Sequence, residues 1–502
     1  MPHHNRSSSH ALGACCNEPH EWRAEPVSRR DLLQAGAAVA AASAAIPLLA
    51  TTSIAQTADP DLARLTSARR ILIKGSVVLT LDRQVGDFAQ ADVLIEDGKI
   101  RELRPSIVAS GDDIATIDGA NHILIPGFVD THCHSYQGLL RGVLANGLLN
   151  PDYNQIVQNT VTPAYQVADA YAGMLVTALG MIDTGTTAIV DISQVSHSPE
   201  HSDALIRALQ ETGLRAVYSY HRGSGPSAQY PQDIKRLALT YFSSRDQLLR
   251  LALTANLNAP VYALAREVGV PVVQHLVGNN LTAPLQELAR ANLLRPGDEY
   301  IHCLGIDDAG WRLIKDTSGR VSLCTTIDMT MGHGTPTIQD ALDHGFRPSL
   351  SSDHGVTITQ DFFSLMRSTF TYQRLRVLQR ARAGEQNLPA LLTCRDVLEF
   401  ATIEGARCAN LDDKVGTLTP GKDADIVMLR ADALDIWPLN NAPGAVVNLM
   451  NPRHVEAVFI AGKVKKWRGG LVGADLARVR RLAQDARDAV MRRANVPVNL
   501  LG

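Results

Sequence analysis

Apolar residues in this chain alternate between two textures, and their order predicts the architecture. Between residues 71 and 118 they form short runs broken by turn residues. Examples are Ile71-Leu72-Ile73, Val77-Val78-Leu79, Val93-Leu94-Ile95 and Lys99-Ile100-Arg101. Asp97-Gly98 between two such runs predicts a hairpin turn. From His132 to about Asp353 the texture changes to short β-rich runs separated by stretches with helical periodicity. The expected strands are the run before His132, then Ala188–Asp191, Ala216–Ser219, Leu251–Thr254, Val272–His275, Tyr300–Cys303, Val321–Cys324 and Pro348–Ser351. Alternation of this kind predicts a parallel sheet, and eight βα units over roughly 250 residues is the (β/α)8 barrel number.

After about residue 412 the strand texture returns, in Gly416–Leu429 and Val455–Val464. The expected fold is therefore α/β: a (β/α)8 TIM barrel over 126–412, flanked by a β-sandwich built from both chain ends, 59–125 plus 413–472. Leu476, Val479, Leu482, Ala486 and Val490 recur at helical spacing and predict a packing helix within 473–502.

Residues 1–58 follow a different logic. Arg29-Arg30 precede a small, apolar run from Ala35 to Ala50, and Ser53-Ile54-Ala55 offers a small-x-small cleavage site. This reads as a twin-arginine export signal, too short and alanine-rich for a transmembrane span. The expected location is periplasmic or extracellular, with no membrane anchor once the leader is removed.

Composition narrows the function classes. The chain has 502 residues, 45% hydrophobic and 20% charged, with a net charge of −3. That is enough for a large core, and nothing in it points to nucleic acid or anionic membrane as a partner. A small-molecule substrate is expected; a homo-oligomer is left open. Of seven cysteines, Cys15 and Cys16 fall in the leader. The remainder, Cys133, Cys303, Cys324, Cys394 and Cys408, are odd in number and form no C-x-x-C. They predict neither a disulfide framework nor a cysteine-type zinc site.

The candidate chemistry lies at strand ends. Ile125–Val129 leads into Asp130-Thr131-His132-Cys133-His134. Residues i and i+2 of a strand point the same way, so His132 and His134 present two imidazoles together, half a metal site. His275, His302 and Asp353 fall at the ends of three further strands. Barrel active sites are built at that carboxyl mouth. Asp328, His333, His354, His221, Tyr220 and His197 fall in predicted βα loops and are weaker, substrate-side candidates.

Pro126–His134, Asn410-Leu411 through Asp425, and Gly332-His333-Gly334 followed by Ala341–Gly345 resemble the motifs of the amidohydrolase superfamily, over about residues 70–475. The likeness is to the branch of cytosine deaminase, adenosylhomocysteine deaminase-like enzymes and triazine chlorohydrolases. It implies that His132, His134, His275 and Asp353 bind one divalent ion, zinc first and iron second. It implies that His302 orients the attacking water and Asp353 is the general base. The binuclear branch carries a carboxylated lysine on the fourth strand; Leu251–Asn256 has none, which implies a single ion. One departure stands out. Deaminases of this branch place a glutamate three residues after the fifth-strand histidine, where this chain has Gly278. A glycine has no side chain to move a proton. The expected activity is therefore hydrolysis of a non-peptide C–N bond of amide, urea, carbamate or cyclic amidine type. The alternatives are an aminoheterocycle deaminase with a substitute proton donor and a catalytically silent metal-containing binding protein.

Overall fold

Each of the eight β-rich runs forms a strand. A computed structural model describes residues 59–501, so the twin-arginine reading lies outside the described residues. The barrel strands are Phe128–Cys133, Thr186–Asp191, Arg215–Tyr220, Leu249–Ala255, Val272–His275, Glu299–Ile301, Arg320–Leu323 and Ser349–Leu350. Each pairs in parallel with its neighbours in chain order. The strands are buried on both faces, as a parallel sheet covered by helices requires, and Val, Ile and Leu share their buried positions with polar residues such as Thr131, Glu299 and Ser322. Helices such as Val167–Asp183 and Pro199–Thr212 cover the outside. Gly213 ends the second of these at φ 65°, a left-handed cap that a side chain would strain.

The first and last strands close the barrel through one parallel bridge, Cys133 opposite Asp353. Asp353 N donates to His132 O at 2.9 Å, and His134 N donates to Asp353 O at 2.7 Å. Inside the barrel near this seam, Thr131 Oγ1 lies 2.7 Å from Ser322 Oγ and 2.8 Å from Ser349 Oγ. Small hydroxyls thus fill an interior layer and satisfy one another.

Both chain ends enter one nine-stranded sheet beside the barrel. His122–Pro126 runs parallel to Arg70–Val78 on one side and antiparallel to Ile426–Arg430 on the other. It carries the ladder across, so the expected sandwich is one continuous sheet rather than two. A single apolar cluster joins Ile71, Val93 and Ile95 to Ile426, Met428 and Phe459. The runs at 71–73 and 77–79 are one strand, bent by register shifts at Ser76 beside Gly75 at φ 74°. The hairpin at Asp97-Gly98 forms with both residues at positive φ, as a two-residue type I′ loop requires. The C-terminal helix, Leu476–Arg493, buries Val479, Ala486, Val490 and Met491, while Leu476 at its start is exposed. Among the described residues no helix is long and apolar enough to cross a membrane.

A buried ion pair ties the barrel to this sheet. Arg215, 2% exposed at the start of the third barrel strand, donates Nε to Asp425 Oδ2 and Nη2 to Asp425 Oδ1, each at 3.0 Å. Its Nη2 also reaches Asp423 Oδ2 at 3.0 Å. Removing one member of such a pair leaves an uncompensated buried charge. Arg215→Met should therefore lower unfolding stability by about 3–5 kcal/mol in a denaturant titration. Arg104→Met, at an exposed pair with Glu102, should change it by less than about 1 kcal/mol. Equal effects would contradict this role for the pin.

Candidate active site

The end of the first barrel strand delivers His132 and His134 to one side, as their i, i+2 spacing requires. Their Nε2 atoms are 3.3 Å apart. His275 closes the fifth strand and brings its Nε2 to 3.0 Å from His132 Nε2. Asp353 Oδ1 lies 3.3 Å from His134 Nε2 and 3.7 Å from His132 Nε2. Asp353 Oδ2 is 3.7 Å from His302 Nε2. Five candidates from four strand ends therefore meet in one cluster.

Two of them do not lie in the strands expected to hold them. The sixth strand stops at Ile301, and His302 follows at φ 63°; the eighth stops at Leu350, and Asp353 stands at φ 60°. Left-handed backbone is uncommon for residues with side chains, and Asp and His tolerate it better than most. It takes each residue off its ladder, beside the cluster. Strain of this kind gathers where the surrounding structure holds a functional side chain in place.

Hydrogen bonds behind the cluster fix the rings. His134 Nδ1 lies 2.7 Å from Ile192 O, a partner that can only accept, so the proton is on Nδ1 and Nε2 carries a lone pair. His302 Nδ1 bonds Asp328 Oδ1 at 2.8 Å. His132 Nδ1 is 3.3 Å from Cys324 Sγ. Burial pushes the His132 and His275 imidazoles well below the usual histidine range, so both are neutral at pH 7. Burial raises Asp353, but the facing imidazoles of His354, His132 and His134 outweigh it and keep the carboxylate ionised. Burial also lowers His302, but the charge of Asp328 and the bond to it prevail and raise it.

This donor set fits a divalent cation. Ligands about 2.0–2.1 Å from a tetrahedral ion stand about 3.3–3.4 Å from one another, close to the spacings of the His132, His134, His275 and Asp353 atoms. Neutral imidazole and carboxylate suit zinc and also iron.

The cluster opens into a cavity of ≈ 720 Å³. His333 and His354 line it, and neither ring of these two has a hydrogen-bond partner on either nitrogen. His354 stacks on Tyr153 at 4.7 Å between ring centres. Asp328 is a correction: it is 1% exposed and stands behind His302, not on the cavity wall. His221 lines an adjoining pocket, with Nδ1 held by Arg222 O. His197 is a structural bridge, from Thr162 O to Ser224 N. Tyr220 is buried away from the cavity against Tyr230. Gly278 lines the wall, and a Cβ built there would meet only Leu281 methyls, at 3.8 and 3.9 Å. Asp353 is the single carboxylate residue among those lining this cavity.

Sequence reasoning missed the wall opposite the histidines. Leu149–Val161, wound at π-helical spacing, contributes Tyr153, Asn154 and Gln158, and the second strand's loop adds Gln194. The only signal was the density of carboxamides between 150 and 159.

The model of the amidohydrolase family matches residues 123–465. The 5-methylthioadenosine/S-adenosylhomocysteine deaminase of Caldicellulosiruptor saccharolyticus is 25% identical, over 81% of this chain and 95% of that one. The 5'-deoxyadenosine deaminase of Methanothermobacter thermautotrophicus is 26% identical, over 83% and 97%. Among solved structures, a zinc-bound adenosine deaminase from Xanthomonas campestris superimposes with a TM-score of 0.72 at 21% identity, covering 84% of this chain and 98% of that one. The zinc complex of atrazine chlorohydrolase from Arthrobacter aurescens gives 0.72 at 19%, covering 83% and 100%. The chain belongs to the amidohydrolase family.

Proposed function

We propose that this protein is an exported, mononuclear metal-dependent hydrolase of non-peptide C–N bonds in small molecules. The observation that carries the reading is the convergence of His132, His134, His275 and Asp353 at 3.0–3.7 Å. The fourth strand, Leu249–Ala255, brings no lysine to the mouth, which supports one ion rather than two. A divalent ion held there supplies Lewis acidity, lowering the pKa of water towards neutrality and polarising the scissile group.

The side chains divide the remaining work. Asp353, ionised, accepts a proton from the attacking water and returns it to the leaving nitrogen. His302 is anchored by Asp328, so its Nε2 faces the reacting space beside Asp353 Oδ2. It orients the water and stabilises developing charge. An amide or ureide needs no further acid. An aminoheterocycle needs one for its ring nitrogen, and Gly278 supplies none.

A second reading, deamination, is favoured by the names of the curated relatives. It needs a donor other than a wall carboxylate, and Tyr153, His333 or His354 would have to serve. Purified, metal-loaded protein tested on amides, ureas, carbamates and aminopurines separates the readings. Amine and acid release supports the first. Ammonia from an aminopurine supports the second. Silence on all of them indicates a binding protein.

The roles of ligand and base also separate. His275→Ala removes one imidazole, so metal occupancy should fall together with activity. Asp353→Asn keeps an oxygen near the cluster but cannot accept a proton at neutral pH. It should keep much of its metal while losing about 10²–10⁴-fold in turnover. A fully loaded Asp353→Asn enzyme at near wild-type rate would place the proton elsewhere. Export rests on Arg29 and Arg30. Lysine at both should hold the precursor in the cytoplasm on fractionation; normal export of the double variant would refute the twin-arginine route.

A further inference from the structure

Away from the histidines, the cavity wall is built from carboxamides that hold one another. Gln158 Nε2 donates to Gln194 Oε1 at 3.0 Å. A carboxamide carries one C=O and one NH2. Joined in this way, Gln158 keeps its C=O free and Gln194 keeps its NH2 free. Turning both amides over together exchanges the roles and leaves the same two valences, one acceptor beside one donor.

The engaged ends are anchored further. Gln158 Nε2 also reaches Tyr153 Oη at 2.9 Å, and Tyr136 Oη donates to Gln194 Oε1 at 3.1 Å. Gln137 Nε2 bonds both tyrosine hydroxyls at 2.8 Å, and Tyr136 Oη lies 2.9 Å from Thr162 Oγ1. Tyr136, Tyr153 and Gln137 are buried, so the pair stands on a fixed base. Both glutamines line the same cavity as His134, His275 and Asp353. The free Gln158 Oε1 and Gln194 Nε2 have no hydrogen-bond partner among the described residues. Asn150, Asn154, Asn159 and Asn279 continue the wall, and exposed Arg222 adds a cation to it.

We infer that Gln158 and Gln194 read an amide edge, a C=O beside an N–H, on the substrate. The substrate class is then a lactam, imide, ureide or secondary carboxamide presenting that edge beside the bond to be cut. Gln158 C=O takes the substrate N–H, and Gln194 NH2 takes the substrate carbonyl. The inference rests on the hydrolase reading for which bond is cut, but edge recognition itself is measurable without turnover.

The test is binding of succinimide and N-methylsuccinimide to the metal-loaded full-length protein, measured by ligand-observed NMR. Methylation removes the N–H and sets a methyl against the Gln158 carbonyl, so a lost hydrogen bond should weaken binding about tenfold or more. Gln158→Met removes the acceptor for the substrate N–H and should abolish most of that preference, while Gln194→Glu removes the donor to the substrate carbonyl and should weaken both imides. Metal content and the thermal midpoint check that each variant is folded. If a variant fails to fold, the wild-type preference alone decides. No binding of succinimide, or equal binding of its N-methyl form, would overturn the inference. Preference without hydrolysis of any amide would leave edge reading intact and defeat the hydrolase proposal. Amide hydrolysis without preference would do the reverse.

Discussion

The barrel is closed by the backbone of the residues that carry its chemistry. Asp353 N bonds His132 O and His134 N bonds Asp353 O, and these bonds join the first strand to the last. Asp130, buried two residues earlier, braces the same seam: its Oδ1 accepts from His132 N at 3.2 Å and from Ser352 N at 3.0 Å. Closure and ligand geometry are thus one event. The imidazoles of the first strand cannot separate from the eighth-strand carboxylate without opening the sheet. His275 and His302 follow by ladder register, since His275 pairs with Ile301, the residue before His302. A site held by rigid elements is positioned far more tightly than one held by loops.

Burial then sets the charges. Neutral imidazoles facing an ionised carboxylate at these spacings suit a cation, and the partners behind them fix which nitrogen faces inward. Asp328 shows how a polar residue next to a site can act without touching a ligand. It is fully enclosed, and its effect reaches the cavity through the orientation and charge of His302. The wall across the cavity follows another rule. Where deaminases of the branch carry a glutamate, this chain carries Gly278, and its only wall carboxylate is Asp353. Carboxamides take up much of that surface, with Arg222 beside them.

The barrel was legible because parallel strands buried on both faces read as runs of Val, Ile and Leu, such as Ala188-Ile189-Val190 and Val272-Val273. His132 and His134 were legible because a period of two needs no tertiary information. The placements of His302 and Asp353 were less so: both follow the regular strands on left-handed backbone, which no local pattern announces, and Asp353 pairs only through its bridge to Cys133. Asp328 could be assigned to a loop but not to its side of His302. The Gln158–Gln194 pair was illegible, because it joins the helix Leu149–Val161 to the loop after the second barrel strand, a tertiary contact that no local pattern announces. The sheet from both chain ends was expected in outline, whereas its continuity depends on His122–Pro126 pairing on both edges.

The central claim is that four ligands from three strand ends converge on a single ion. X-ray absorption at the metal edge of the purified protein tests it most directly. The account expects a shell of nitrogen and oxygen ligands with imidazole scattering, lost when His132 is replaced by alanine. It expects no metal neighbour at about 3.5–4 Å, the spacing of two-metal sites. A metal–metal vector at that distance, or an unchanged spectrum in His132→Ala, would contradict it.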